Sequence, residues 1–372
     1  MKKASLIVAN SEHSADMFYA TGFRAPDPFI YFSYGSRKAM ILSALEFDRG
    51  KTESHQGIKI FRYEDFIKNG RRGMGDVLRV LAKSLKVEQF RVPADFPLAL
   101  ADFLRKHKID VVAKAKGFFP ERKFKNEKEI EYLREAQRIT ALGMQRAEEI
   151  LRASKLGRDG GLHWSDAALT SEILRAEINI ELIRNGGFAA STIVAGALQG
   201  AEPHNEGSGP LYKDSPIVID IFPKITATGY HGDMTRTFVK GKAPEIVNQA
   251  YDTLFKTRET CKMKVKTGVI PAEVHNDAVQ MLNDAGFPTG RREDGKNFGF
   301  FHGLGHGLGL EVHEAPYLSP RDTTPLRGGE VVTVEPGLYY PEWGGIRLED
   351  VVVVREDHAE CLTFYPNKLE VD

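Results

Sequence analysis

Apolar and polar positions along this chain fall into blocks whose period changes. Residues 4–9 form a short apolar run and predict a strand. Phe29-Ile30-Tyr31-Phe32 and Ala39-Met40-Ile41-Leu42, parted by a Tyr34-Gly35-Ser36 turn, predict two more. Val77, Leu78, Val80, Leu81 and Leu85 recur at helical spacing, which predicts a helix over 72–86. Pro97 can open a second helix running to about His107, and Asp110-Val111-Val112 reads as a strand. Strands alternating with helices predict a compact α/β domain over residues 1–125. No His, Cys or carboxylate cluster with metal spacing occurs in it, so its expected role is structural, in assembly or in substrate gating.

The polar stretch 117–128 reads as a connector, with the domain boundary at 125/126. Asn126 and Glu129 have the spacing of a capping box. Ile130, Leu133, Ile139, Leu142, Ile150 and Leu151 then predict a long amphipathic helix over 127–155. A loop at 157–161 precedes a further helix over 165–184, which stops at Asn185-Gly186-Gly187. Strands are predicted at 191–195, 217–221 and 234–239. Pro244 and Pro271 each open a helix, to about Lys266 and Gly286. Strands at 330–335 and 346–354 close the chain. The element order resembles two αα-ββ halves, although no sequence repeat is strong enough to prove it.

Composition narrows the function classes. The chain has 372 residues, enough for two or three domains at ~150 residues each. Lys+Arg 51 balances Asp+Glu 51, so no excess positive charge argues for nucleic acid or an anionic membrane as partner. Cys261 and Cys361, the two cysteines, make no disulfide framework and read as buried thiols. The apolar run after Lys2-Lys3 is too short for a signal peptide, and no stretch of ~18 apolar residues reads as a membrane span. A cytoplasmic protein is the expectation.

The chemistry concentrates in the second part. Phe301-His302-Gly303-Leu304-Gly305-His306-Gly307-Leu308-Gly309 and the following Leu310-Glu311-Val312-His313-Glu314 bring three imidazoles close together in a glycine-rich segment. Glycine lets the backbone approach a ligand closely, and His serves both as metal ligand and as acid or base. The segment lacks the Lys-Ser/Thr of a phosphate loop and the HExxH spacing. Four acids stand in odd places. Asp220 interrupts the apolar run 217–221, Asp233 begins the partner arm of that hairpin, Glu335 ends the run 331–334, and Glu349 lies within 346–354. A lone buried carboxylate neutralises or binds a cation. One His with four carboxylates makes a poor structural zinc site but a good two-metal hydrolytic site, with ions about 3.5–4 Å apart sharing a hydroxide.

Asp220, Tyr230-His231-Gly232-Asp233-Met234-Thr235-Arg236-Thr237-Phe238, the His306–Glu314 segment, Val334-Glu335-Pro336-Gly337 and Gly345-Ile346-Arg347-Leu348-Glu349-Asp350 together resemble the pita-bread metallopeptidases, over about residues 126–372. That family includes Xaa-Pro aminopeptidases, Xaa-Pro dipeptidases, methionine aminopeptidases and creatinase. The resemblance implies an α/β (α+β) protein, with a creatinase-like domain at 1–125 and a two-fold pseudo-symmetric pita-bread catalytic domain at 126–372. It implies that Asp220 and Asp233 hold one divalent ion and His306 and Glu335 the other, with Asp233 and Glu349 bridging. Mn²⁺, Co²⁺ or Zn²⁺ are the implied metals, and Glu335 the implied proton shuttle. His313 would stabilise the oxyanion, His302 and His204 would contact substrate, and Arg347 would orient carboxylates. The implied reaction is cleavage of a peptide with a free N-terminus, most specifically at Xaa-Pro, by a homodimer. A lyase or metal-free amidinohydrolase on the same scaffold, or a non-catalytic binding protein, are the alternatives. Two departures bear on substrate: Phe222-Pro223 follows Asp220 where the family commonly has glycine, and His231 stands where small residues are common.

Overall fold

A computed structural model describes residues 2–67, 73–114 and 117–372. They form two compact units, 1–122 and 123–372. The units divide three residues before the boundary expected from composition, because Lys123, Phe124 and Lys125 are fastened within the second unit. Phe124 bridges Glu330, Lys123 pairs with Glu330, and the Lys125 N–H donates to Gly329 O.

In the first unit a six-stranded sheet runs in the order Ile58–Arg62, Arg37–Leu42, Phe29–Tyr34, Lys3–Ala9, Gln89–Pro93, Asp110–Lys114. Its strands are apolar at successive positions because both faces are covered. Leu6 and Val8 face one core with Val77 and Leu81 of the helix Met74–Leu85. Ile7 faces another with Met17 and Phe23. Residue 72, the expected start of that helix, lies outside the described residues. The short helices Ala15–Thr21 and Phe47–Glu53 carry no long periodic pattern and escape the sequence reading.

In the second unit the helix Glu127–Ala153 begins at the expected capping box: the Asn126 side chain accepts from Glu129 N, and the Glu129 side chain from Asn126 N. A four-stranded sheet follows the order Ile193–Gly196, Pro216–Ile221, Met234–Lys240, Glu370–Val371. A five-stranded sheet follows Glu314–Leu318, Gly305–Gly307, Val331–Val334, Asp350–Val354, Ala359–Cys361. The helices Glu245–Lys264 and Pro271–Asp284 contribute Val247, Leu254, Val274 and Leu282 to one core, with Val332 and Val352 of the five-stranded sheet. No helix among the described residues is long and apolar enough to cross a membrane.

Two expectations change. The helix expected over 165–184 begins only at Ser171. Ser165 and Asp166 take positive φ, 50° and 63°, and turn a small hairpin between Leu162–Trp164 and Ala167–Ala168. Thr170 then caps the helix by accepting from Ile173 N. The strand expected over 346–354 is two strands, Gly344–Arg347 and Asp350–Val354, in different sheets. Leu348 and Glu349 make the crossing, where the charged residues Arg347, Glu349 and Asp350 interrupt the apolar pattern.

Next to that crossing lies a buried ionic knot. Asp350, 3% exposed, accepts from Arg236 at 2.9 Å and Lys262 at 2.6 Å, with Arg258 Nε at 3.3 Å. Burial opposes its ionisation, but these three cations hold its carboxyl below the usual range. Arg236 also donates to the carbonyl of Glu349 at 2.6 Å. Asp350→Asn strands buried cations, and is expected to destabilise the second unit by about 3–5 kcal/mol. Asn126→Ala, which loses one exposed cap, should lose about 1 kcal/mol. Urea unfolding of both variants checks the ordering. A smaller loss for Asp350→Asn than for Asn126→Ala would mean the cations are balanced elsewhere.

Candidate metal centre

Strand register places the acids. Asp220 lies opposite Thr235 in the antiparallel pair Pro216–Ile221 and Met234–Lys240. Asp233 is two residues before Thr235 and so emerges on the same face of its chain. In the other sheet Val334 lies opposite Asp350. Glu335 follows one strand and Glu349 precedes the other, so both stand at the same end of that pair. His306 is central in Gly305–Gly307. A Cβ on Gly305 would stand 2.0 Å from the Thr333 carbonyl oxygen, so only glycine lets these strands close so tightly.

All nine residues singled out from the sequence line one cavity of about 1120 Å³: His204, Asp220, Asp233, His302, His306, His313, Glu335, Arg347 and Glu349. Asp233, His306 and Glu349 are buried and each offers a ligand atom within 4.8 Å of the others. Each of two carboxylates is held by one oxygen only. Asp220 Oδ2 accepts from Arg347 at 2.7 Å, and Glu349 Oε2 accepts from Thr235 Oγ1 at 2.9 Å. Their other oxygens, Asp220 Oδ1 and Glu349 Oε1, are buried and have no hydrogen-bond partner.

Electrostatics set the protonation states. Burial, then the charges of Glu349, Asp220 and Glu335, raises the Asp233 carboxyl well above its usual value. Burial, then Glu335 and Asp220, does the same to Glu349. Glu335 is pushed up to about 8, chiefly by burial. The imidazoles move the opposite way: burial lowers His302 and His306 to about 3, and lowers His313 as well. His306 is therefore neutral, and its approaches to Asp233 (3.7 Å) and Glu335 (3.3 Å) are not ion pairs. Its Nδ1 lies 3.2 Å from the Gly307 carbonyl, an acceptor, so the proton sits there and Nε2 turns a lone pair toward the two carboxylates. A divalent cation would displace the protons that burial keeps on these carboxyls, and the His306 lone pair with the unpartnered oxygens of Asp220 and Glu349 completes a donor set that suits it.

Several residues of the site carried no signal in sequence. Thr235 links Glu349 to Arg347, whose Nε donates to its Oγ1 at 3.1 Å. Thr333 Oγ1 accepts from His306 N at 3.0 Å and stands 3.5 Å from Glu335. The Tyr339 hydroxyl accepts from Arg347 at 3.0 Å and meets His302 Nε2 at 2.9 Å. Threonine and tyrosine within strands read as ordinary β-formers, so only the shared strand face of Thr235 and Asp233 could have pointed to one of them. Phe222 lines the cavity, together with Phe301 and Tyr317. His231 is not among the lining residues; burial, then Lys224, lowers its imidazole to about 4.

Known proteins carry the same arrangement of elements. The sequence profile of metallopeptidase family M24 matches residues 131–356. The Xaa-Pro dipeptidase of Pyrococcus horikoshii is 26% identical over 98% of this chain and 94% of its own length. The Xaa-Pro dipeptidase of Pyrococcus furiosus is 30% identical over 64% of this chain and 62% of its own. The crystal structure of an X-Pro aminopeptidase from Thermotoga maritima superposes with a TM-score of 0.83 at 25% identity, covering 100% of this chain and 98% of the other. The Xaa-Pro dipeptidase from Bacillus anthracis, at 21% identity, shares the fold with a TM-score of 0.84, over 99% of this chain and 95% of that one. The chain thus belongs to metallopeptidase family M24 and is a peptidase with the pita-bread fold.

Proposed function

We propose that this peptidase cleaves a peptide bond next to a free N-terminus, with Xaa-Pro as its preferred sequence, using two divalent ions held by Asp220, Asp233, His306, Glu335 and Glu349. The observation that carries the reading is the set of unpartnered oxygens, Asp220 Oδ1 and Glu349 Oε1, in the cavity where neutral His306 turns its Nε2 toward Asp233 and Glu335. Oxygen-rich ligation favours Mn²⁺ or Co²⁺, with Zn²⁺ next. When bound, the ions supply Lewis-acid polarisation of the scissile carbonyl and activation of a water.

This chain's residues do the rest. Glu335 takes the proton from the attacking water and returns it to the leaving nitrogen. His313, neutral at physiological pH, donates to the carbonyl oxygen as negative charge develops there. Arg347 keeps Asp220 aimed at the centre, and its charge is committed to that carboxylate. His302, held by the Tyr339 hydroxyl and the Gly303 carbonyl, and His204 flank the site and contact the groups on either side of the bond. A creatinase-like role for residues 1–125, a catalytic role for 126–372, a homodimer and a cytoplasmic location belong to the same reading. A panel of di- and tripeptides with Mn²⁺, Co²⁺ and Zn²⁺ supplied separately tests it, with elemental analysis of metal content. No peptide cleaved under any metal returns the scaffold to a lyase or a binding protein.

Three outcomes follow from this chemistry. His313→Ala is expected to lower kcat by ~10²–10³ with full metal content, because an oxyanion donor is lost and no ligand is. Metal loss in that variant, seen by elemental analysis, would make His313 a ligand instead.

Stability without metal should depend on pH in a defined window. Glu335 is pushed up to about 8 in the fold against an ordinary 4.5, so the fold retains a proton that the unfolded chain releases. Its contribution therefore falls as pH rises between those values. His306, at about 3 against 6.5, adds stability with rising pH, but only up to 6.5. Above 6.5 the carboxyl effect stands alone, so the Tm in EDTA should drop as the pH is raised from 6.5 to 8. Mn²⁺ should remove that drop, since metal binding displaces the protons. A Tm in EDTA that is flat or rising over the window contradicts the assigned protonation.

Proline preference is the third. A proline nitrogen carries no N–H, so recognition must rest on ring shape and flanking contacts. Ala-Pro-Ala is expected to be cleaved at least roughly tenfold faster than Ala-Ala-Ala, or ~1.4 kcal/mol in the barrier. Equal rates under the best metal reject the preference and leave the metal centre untouched.

A further inference from the structure

We propose that the buried ion pair between Lys125 and Glu314 is a positioning device that aims His313. The inference rests on the peptidase reading for what His313 does. Gly305–Gly307 and Glu314–Leu318 form an antiparallel hairpin with Gly307 opposite Glu314 and a register shift between His306 and Gly307. His313 is the last residue of its loop. Its ring stands 4.3 Å from the His306 ring, at 83° to it. Consecutive residues of an extended chain point to opposite sides. His313 lines the cavity, and Glu314 turns away from it.

On that far side the Glu314 carboxylate closes the loop from beneath. A Cβ on Gly309 would stand 2.5 Å from its Oε1, so the carboxylate lies directly against the backbone at the other end of the loop. The Gly309 carbonyl meanwhile accepts from His231 N at 2.8 Å, tying the loop to the segment that leads into Asp233. Lys125 Nζ holds the carboxylate at 2.5 Å, with the two side chains 1% and 8% exposed. Lys125 itself is fixed by its backbone, whose N–H donates to Gly329 O at 2.7 Å, while Gly329 N donates to Val354 O at 3.0 Å. The hairpin that presents His306 and His313 is thereby tied, through Lys125 and Gly329, to Val354 at the end of another strand of its sheet.

Energetics favour positioning over stabilisation. Desolvating two charges commonly outweighs their attraction, and a well-packed apolar pair of the same volume is often as stable. What an apolar pair lacks is direction: the carboxylate must stay where Lys125 and the Gly309 backbone both meet it. The residue bonded to Glu314 is His313, so a displacement of one is transmitted to the other.

A double-mutant cycle with Ala-Pro-Ala and Mn²⁺ tests this. Lys125→Met should lower kcat by about 10- to 100-fold, the range a misplaced group loses, with KM and metal content held. Lys125→Arg should recover most of it. In the His313→Ala background Lys125→Met should change kcat by no more than about twofold, because the group it aims is gone. Losses that multiply overturn the proposal. Should Lys125→Met fail to fold, Lys125→Met/Glu314→Leu removes both charges and enters the same cycle. A second readout needs no turnover: in ¹⁵N-histidine-labelled protein the His313 imidazole signals should move in either variant. A wild type that cleaves no peptide defeats the peptidase reading, and the imidazole signals then decide this one. Unmoved His313 signals overturn it.

Discussion

Like charges forced together out of water dominate this molecule. Asp220, Asp233, Glu335 and Glu349 line one cavity, and three of them are pushed toward their protonated forms by burial and by one another. Such an arrangement is unfavourable by several kcal/mol per uncompensated charge. The surrounding structure is organised to hold it. Each carboxylate that is gripped is gripped by one oxygen, from Arg347 or Thr235, and the remaining oxygen faces inward. A site satisfied on all sides would be more stable and would have no capacity left for a cation.

The supporting groups form two shells of different character. Nearest the acids are hydroxyls and one guanidinium: Thr235, Thr333, Tyr339 and Arg347 are buried and donate or accept at 2.7–3.5 Å. Further out lie fully charged knots, Asp350 with Arg236, Arg258 and Lys262, and Lys125 with Glu314. Both knots involve a residue adjacent in the chain to one that lines the cavity, Glu349 in one case and His313 in the other. Strand alternation explains the pattern. When one side chain points into the site, its neighbour points into the body of the protein. A charged neighbour there can anchor the backbone with a directional contact that an apolar one cannot make.

Less polar side chains share the same cavity. Phe222, Phe301 and Tyr317 line it alongside the acids, so its wall is mixed apolar and polar. Phe222, the departure that sequence singled out, is part of that wall. His231 is not among the lining residues, and its backbone N–H donates to the Gly309 carbonyl.

Much of the chemistry was determined by the sequence itself. The acids at 220, 233, 335 and 349 and the histidines at 306 and 313 stand out because a carboxylate inside an apolar run, or an imidazole flanked by glycines, violates local patterning at a cost that only a function offsets. The capping box at Asn126 and the proline-opened helices were equally legible, since their physics spans three or four residues. Tertiary structure decided what depends on contacts between distant segments. That the stretch 346–354, expected as one strand, divides between two sheets follows from which partners each half meets. Tyr339 and Thr333 become part of the site only because their strands pass beside His302 and His306. Lys125 looked like a connector residue, because nothing within ten positions of it announces Glu314, 189 residues later in the chain. Local sequence carries the free energy of local choices, whereas buried pairing is set by which strands the completed sheets bring together.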